Sequence, residues 1–245
     1  MYREHITHHS EYLNRDMNIL IHGTGGTPIL VFPCQDSMCN NFEEFGMIDT
    51  LQDYLEEEKI QLFSVDTVDK ESFSDTYGDK KHRIWIQECY YNYIIEEVLP
   101  LIREYNSNLP LVTGFSLGAS HAAIVFLRRP DLFKGVLGLS GCYDTAHFFD
   151  NQVDELIYNN SPVHFLANMP TTHPYINLYN KKKIVFSVGQ GRWNGEGIRT
   201  VKILDEIFQQ KGINAWCDLW GYDVDHDWPW WKIMIRYFLP YLLEE

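Results

Sequence analysis

Short apolar runs alternate with longer stretches of helical spacing along the whole chain. Runs at 17–22 and 29–32 read as strands, separated by the Gly-rich turn Gly23-Thr24-Gly25-Gly26-Thr27-Pro28. Met47, Leu51, Tyr54 and Leu55 then carry helical spacing, and 60–65 forms a third apolar run. The pattern over 82–105 is helical, with a kink or break expected at Pro100. Strand, helix and strand follow at 109–113, 119–128 and 135–139, and another strand at 184–188. A helix over 198–210 ends at Lys211-Gly212, a good C-terminal stop signal. Ile213, Ala215, Cys217 and Leu219 alternate as a strand should, and 230–243 closes the chain as an amphipathic helix. The stretch 144–180 lacks a strong period. Its Pro162, Pro170 and Pro174 predict loops and short helices, a wall over the carboxyl edge of the sheet. Strands alternating with helices predict an α/β fold: a mostly parallel, twisted sheet flanked by helices in three layers. No linker or repeat divides it, so the chain reads as one domain, 1–245.

Composition narrows the function classes. The 245 residues are 45% hydrophobic and 22% charged, with 20 Lys+Arg against 34 Asp+Glu and a net charge of −14. That is ample material for a core, and no clustered basic surface for nucleic acid. The short run Lys181-Lys182-Lys183 reads as a solvated strand entry. No apolar stretch is long enough to cross a membrane, and the beginning MYREHITHHS lacks the apolar core of a secretory signal. Five scattered cysteines without a CxxC pair give no disulfide framework or zinc site. The expectation is a cytoplasmic protein with no metal or organic cofactor and no nucleic-acid or membrane partner; a homo-oligomer is compatible with this reading.

The sharpest local signal is Gly114-Phe115-Ser116-Leu117-Gly118, between an apolar strand and a helix. A tight strand-to-helix turn strains its central residue and tolerates only small neighbours, which is why glycines stand two before and two after the serine. Such a turn lifts the hydroxyl clear of the sheet, at the positive end of the helix. A serine hydroxyl needs a general base. Of ten histidines, only His226 follows a late strand across a short loop and precedes a terminal helix. His5, His8 and His9 lie in a polar stretch that reads as solvated. Asp223-x-Asp225-His226-Asp227 suggests a metal site, but no second cluster completes a shell. The acidic loop is expected to raise the histidine's pKa.

His22-Gly23-Thr24-Gly25-Gly26 looks like an oxyanion motif, yet it precedes the strand at 29–32 and reads better as a turn. The oxyanion donors are expected to be the Leu117 N–H and one amide after Phe32-Pro33, from Cys34 or Gln35. Six of the seven tryptophans fall between Trp193 and Trp231. They read as core packing or as an aromatic wall for a ring-bearing acyl group.

The run Leu111-Val112-Thr113-Gly114-Phe115-Ser116-Leu117-Gly118-Ala119 carries a resemblance, as do Arg129-Pro130-Asp131-Leu132-Phe133-Lys134-Gly135 and Leu139-Ser140-Gly141. They resemble the esterases of the α/β-hydrolase superfamily, relatives of S-formylglutathione hydrolases and the antigen 85 mycolyltransferases. The stretch Trp220-Gly221-Tyr222-Asp223-Val224-Asp225-His226-Asp227-Trp228-Pro229-Trp230-Trp231 is similar to a bacterial subgroup of predicted esterases. The resemblance spans about 17–242 and implies an α/β-hydrolase fold with an acyl-enzyme mechanism: Ser116 as nucleophile, His226 as base.

The family's carboxylate slot lies in Gly189-Gln190-Gly191-Arg192-Trp193-Asn194-Gly195-Glu196, where this chain has Trp193 or Asn194. Glu196 reaching back is the first choice. Asn194 as a neutral partner and Asp144 from the neighbouring strand are the alternatives. The expectation is a serine esterase acting on a small-molecule ester, with Ser116, His226 and Glu196 catalytic and Leu117 and Cys34 as oxyanion donors. An acyltransferase on the same residues, or a fold that binds without turnover, are the rivals.

Overall fold

The structure, a computed structural model, describes residues 1–244. Its sheet has eight strands: β1 (Arg3–Ser10), β2 (Arg15–His22), β3 (Thr27–Phe32), β4 (Ile60–Val65), β5 (Leu111–Phe115), β6 (Gly135–Leu139), β7 (Lys183–Val188) and β8 (Trp216–Leu219). Their order is β1-β2-β4-β3-β5-β6-β7-β8. From β4 through β8 every pairing is parallel, while β1 and β2 run antiparallel at one edge. The central strands β4, β5 and β6 are buried along their whole length, so helices must cover both faces. One face packs the helices Lys80–Tyr93, Leu117–Arg128 and Gly195–Lys211; Phe42, Met47, Leu51 and the terminal helix Trp228–Leu243 cover the other. This is the three-layer α/β-hydrolase architecture.

Three departures from the sequence reading have physical causes. The polar N-terminal stretch is strand β1, paired residue for residue with β2. Its exposure alternates, with Glu4, Ile6 and His8 half-buried, and the His8 ring stacks on Tyr93 at 5.6 Å. The long helix widens at Ile94–Val98 into a π turn before Pro100, which then lies in the first turn of the helix Leu99–Tyr105. Proline has no N–H to donate backward, so the ladder adjusts upstream of it. The helix expected from 198 starts at Gly195, and this decides the fate of Glu196.

The helix stop and the irregular stretch are as expected. Gly212 terminates its helix in the left-handed region at φ 68°. The stretch 144–180 is a series of short helices. Among the described residues no helix is long and apolar enough to cross a membrane.

Candidate active site

Ser116 stands at the carboxyl end of β5, between the strand and the helix Leu117–Arg128, with φ 54° and ψ −128°. Few L residues adopt that backbone, and its strain is held by contacts on both sides. A Cβ on Gly114 would overlap the Gly118 carbonyl, and one on Gly118 would overlap the carbonyls of Phe32 and Pro33. The glycines are therefore what lets the turn close against β3. Ser116 N–H donates to the Leu139 carbonyl at 2.9 Å, which ties the turn to β6.

His226 comes from the loop after β8, and its Nε2 lies 2.8 Å from Ser116 Oγ. Its Nδ1 lies 3.2 Å from Asn194 Oδ1. Asn194 is 1% exposed, and its Nδ2 donates to the Val224 carbonyl at 3.0 Å. A carbonyl only accepts, so the amide's NH2 end must face Val224 and its oxygen must face the imidazole. Nδ1 then carries the proton, and the Nε2 lone pair faces the serine. Partial burial pulls the His226 pKa below its ordinary value, against a smaller raising effect of Asp227. The upward shift expected from the acidic loop is thus reversed in sign.

The loops carrying these two residues are joined along their length. Gln190, Gly191 and His226 amides donate to the carbonyls of Gly221, Val224 and Arg192. Arg192 also reaches Asp225 through its own amide, at 2.8 Å, and through its guanidinium. Asp225 is therefore engaged in this pairing, and Asp227 caps the terminal helix at Trp228 N–H.

Glu196 is not brought to the imidazole. It lies in the first turn of its helix, where its carboxylate accepts from Arg199 at 2.8 Å. Asp144 accepts from the same guanidinium nitrogen, Nη2, at 3.0 Å. Cys34 also departs from expectation as an oxyanion donor: its N–H is already engaged by Asn41 Oδ1 at 3.0 Å. Among the described residues the amides of Leu117 and Gln35 have no acceptor, and both residues line the cleft with Ser116 and His226. That cleft has a volume of about 100 Å³ and is bordered by Phe148, Trp193 and Cys142. Burial pushes the Cys142 thiol up to about 12, so it stays protonated and weakly nucleophilic. His22 ends β2, and Gly23–Gly26 is a turn at the opposite, amino end of β3, with Gly23 and Gly26 at φ 86°.

The sequence model of the family described as "Putative esterase" matches residues 10–238. The chain belongs to this esterase family, and its fold is that of the α/β-hydrolases. Among solved structures it is similar to a ferulic acid esterase, with TM-score 0.76 and 13% identity over 99% of this chain and 97% of that one. It is similar to an S-formylglutathione hydrolase from Agrobacterium tumefaciens, with TM-score 0.73 and 14% identity over 98% and 94%. The Mycobacterium tuberculosis protein MPT51 gives TM-score 0.72 and 11% identity over 99% and 98%. At these identities the likeness is one of fold. No curated relative matches the chain.

Within this esterase-family site the aromatic residues divide. Trp228 and Trp231 pack on Phe115, and Trp216 and Trp220 pack on Tyr237 and Phe238. Trp231 also donates to Ser140 Oγ at 3.1 Å and lies edge-on to the His226 ring. Trp193 is different. It stands 77% exposed on the lip of the cleft, at φ 61°.

Proposed function

We propose that the chain is a serine esterase that cleaves a small carboxylic ester through an acyl-enzyme. The observation that carries this reading is the 2.8 Å contact between Ser116 Oγ and His226 Nε2, with the ring's other nitrogen on Asn194. His226 Nε2 takes the Ser116 proton as Oγ attacks the ester carbonyl carbon. The oxygen that becomes anionic is met by the free N–H groups of Leu117 and Gln35. The imidazolium then gives its Nε2 proton to the departing alcohol oxygen. Water enters, loses a proton to the same nitrogen, and releases the carboxylic acid while Ser116 regains its hydrogen.

Asn194 orients the ring without placing a formal charge beside it. The tautomer is correct, but the imidazolium receives less stabilisation than a carboxylate supplies, so turnover is expected to be slow for this chemistry. A fluorophosphonate probe read by intact mass tests the reading. One adduct is expected on the wild type, none on Ser116→Ala, and slower labelling on His226→Ala. A wild type that stays unlabelled, under conditions that modify a known serine esterase, overturns it.

A further inference from the structure

Three successive amides follow Pro33, and the two outer ones are held by buried side chains. Cys34 N–H donates to Asn41 Oδ1 at 3.0 Å, and Asp36 N–H donates to Asp69 Oδ2 at 3.2 Å. Gln35 N–H, between them, points to no acceptor among the described residues, and its residue lines the cleft. Asp36 has φ 60°, a conformation that L residues rarely adopt and that surrounding contacts must enforce.

Asp69 has a second attachment. Its Oδ1 accepts from His121 Nε2 at 2.8 Å, and both residues are 1% exposed. His121 belongs to the helix that Leu117 begins, so a single buried carboxylate braces the Gln35 loop against the Leu117 helix. Gln87 Nε2 lies 3.4 Å from the ring's other nitrogen. A buried carboxylate is costly, and well-packed apolar groups of similar volume often serve stability as well or better. What an apolar group does not supply is two directional acceptors facing two different elements.

We propose that Asn41 and Asp69, the latter through His121, are positioning residues for the oxyanion hole: they aim Gln35 N–H and set its distance from Leu117 N–H. The proposal rests on the serine-esterase reading. An oxyanion hole works only if both donors lie about 2.7–3.1 Å from the anionic oxygen. Here the donors come from separate elements, the loop after β3 and the helix after β5. Their spacing therefore depends on a cross-brace, and the Asp69–His121 contact is placed to provide it.

The test uses Asp69→Asn, which keeps the shape but has one acceptor oxygen for two donors, and Asn41→Ala, which frees Cys34 N–H. Asn41→Asp, which retains an acceptor, is the conservative control. Turnover of 4-nitrophenyl acetate is compared with the affinity of a trifluoromethyl ketone, whose adduct with Ser116 places an anionic oxygen in the hole. Outright loss of one donor costs about 100- to 1000-fold in kcat, so misaiming one is expected to cost about 10- to 100-fold. Asp69→Asn and Asn41→Ala should show that loss with KM little changed and ketone affinity weakened in parallel, while Asn41→Asp stays near wild type. Variants that keep ketone affinity, or an Asn41→Asp as impaired as Asn41→Ala, overturn the positioning role. A wild type that neither labels with fluorophosphonate nor turns over overturns the esterase reading itself, and the positioning role with it.

Discussion

Asn194 donates its amide hydrogen to the Val224 carbonyl and thereby turns its oxygen toward His226. The bond fixes the amide's orientation and makes this position one built for asparagine. An aspartate there would set a carboxylate oxygen against the Val224 carbonyl at a position that is 1% exposed.

Asn194→Asp should therefore have two opposed effects. On the serine-esterase reading His226 acts as neutral imidazole, and burial lowers its pKa, so the acid limb of wild-type kcat/KM should lie below the ordinary histidine range. An anion on Nδ1 stabilises the imidazolium, so the acid limb of the profile should move to higher pH. The lost bond to Val224 should cost about 1–3 kcal/mol, read as a lower Tm. An unmoved acid limb would show that residue 194 does not act on the ring during turnover.

Comparing Ser116→Gly with Ser116→Ala isolates the strain at residue 116. Both lose the hydroxyl and should fail to label. Only glycine relaxes a backbone whose strain is of order 1–3 kcal/mol, less about 0.4–1 kcal/mol of added chain entropy. The glycine variant should melt a few degrees above the alanine variant. Equal melting temperatures would mean that the turn stores little strain.

Gly118→Ala addresses the contact between the turn and β3. Its new Cβ meets backbone carbonyls of Phe32 and Pro33 that have no flexible end to move. Overpacking of this kind costs about 1–3 kcal/mol, and the displaced strand leads directly into Cys34 and Gln35. Both Tm and kcat should fall, measured by calorimetry and ester hydrolysis. Normal turnover in this variant would show that the loop after β3 is independent of the turn.

Trp193→Gly tests the exposed indole. Glycine occupies φ 61° without steric cost, and both neighbours remain anchored to the His226 loop. The variant should melt no lower than wild type, while KM rises for esters carrying an aromatic ring and stays unchanged for small aliphatic esters. If the two sets respond alike, the ring has no part in substrate binding.

The sequence carried the central strands because their burial on both faces leaves continuous apolar runs, and it carried Ser116 because its turn demands glycines at fixed offsets. Position along the chain was enough to single out His226. The strand β1 was hidden by its wet face: Arg3, His5, Thr7 and His9 alternate with half-buried positions that are themselves mostly polar. Glu196 was misplaced by a helix boundary. A start at Gly195 puts it in the first turn, where Arg199 three residues on captures it. Asn194 stood among the alternatives, but what selects it is the carbonyl of Val224, 30 residues away in sequence. Asn41 and Asp69 left no spacing signal. The one local hint was His121, a titratable side chain inside the apolar helical run 119–127.

The joined loops after β7 and β8 have a mechanical consequence. Because Gln190, Gly191 and Arg192 are fastened to the segment that bears His226, imidazole and amide travel as one body. The relative position that these bonds leave unset is the gap between that body and Ser116 at the end of β5. Trp193 belongs to the same body, so a ligand that presses on this lip is expected to change the Ser116–His226 distance without touching either ring nitrogen.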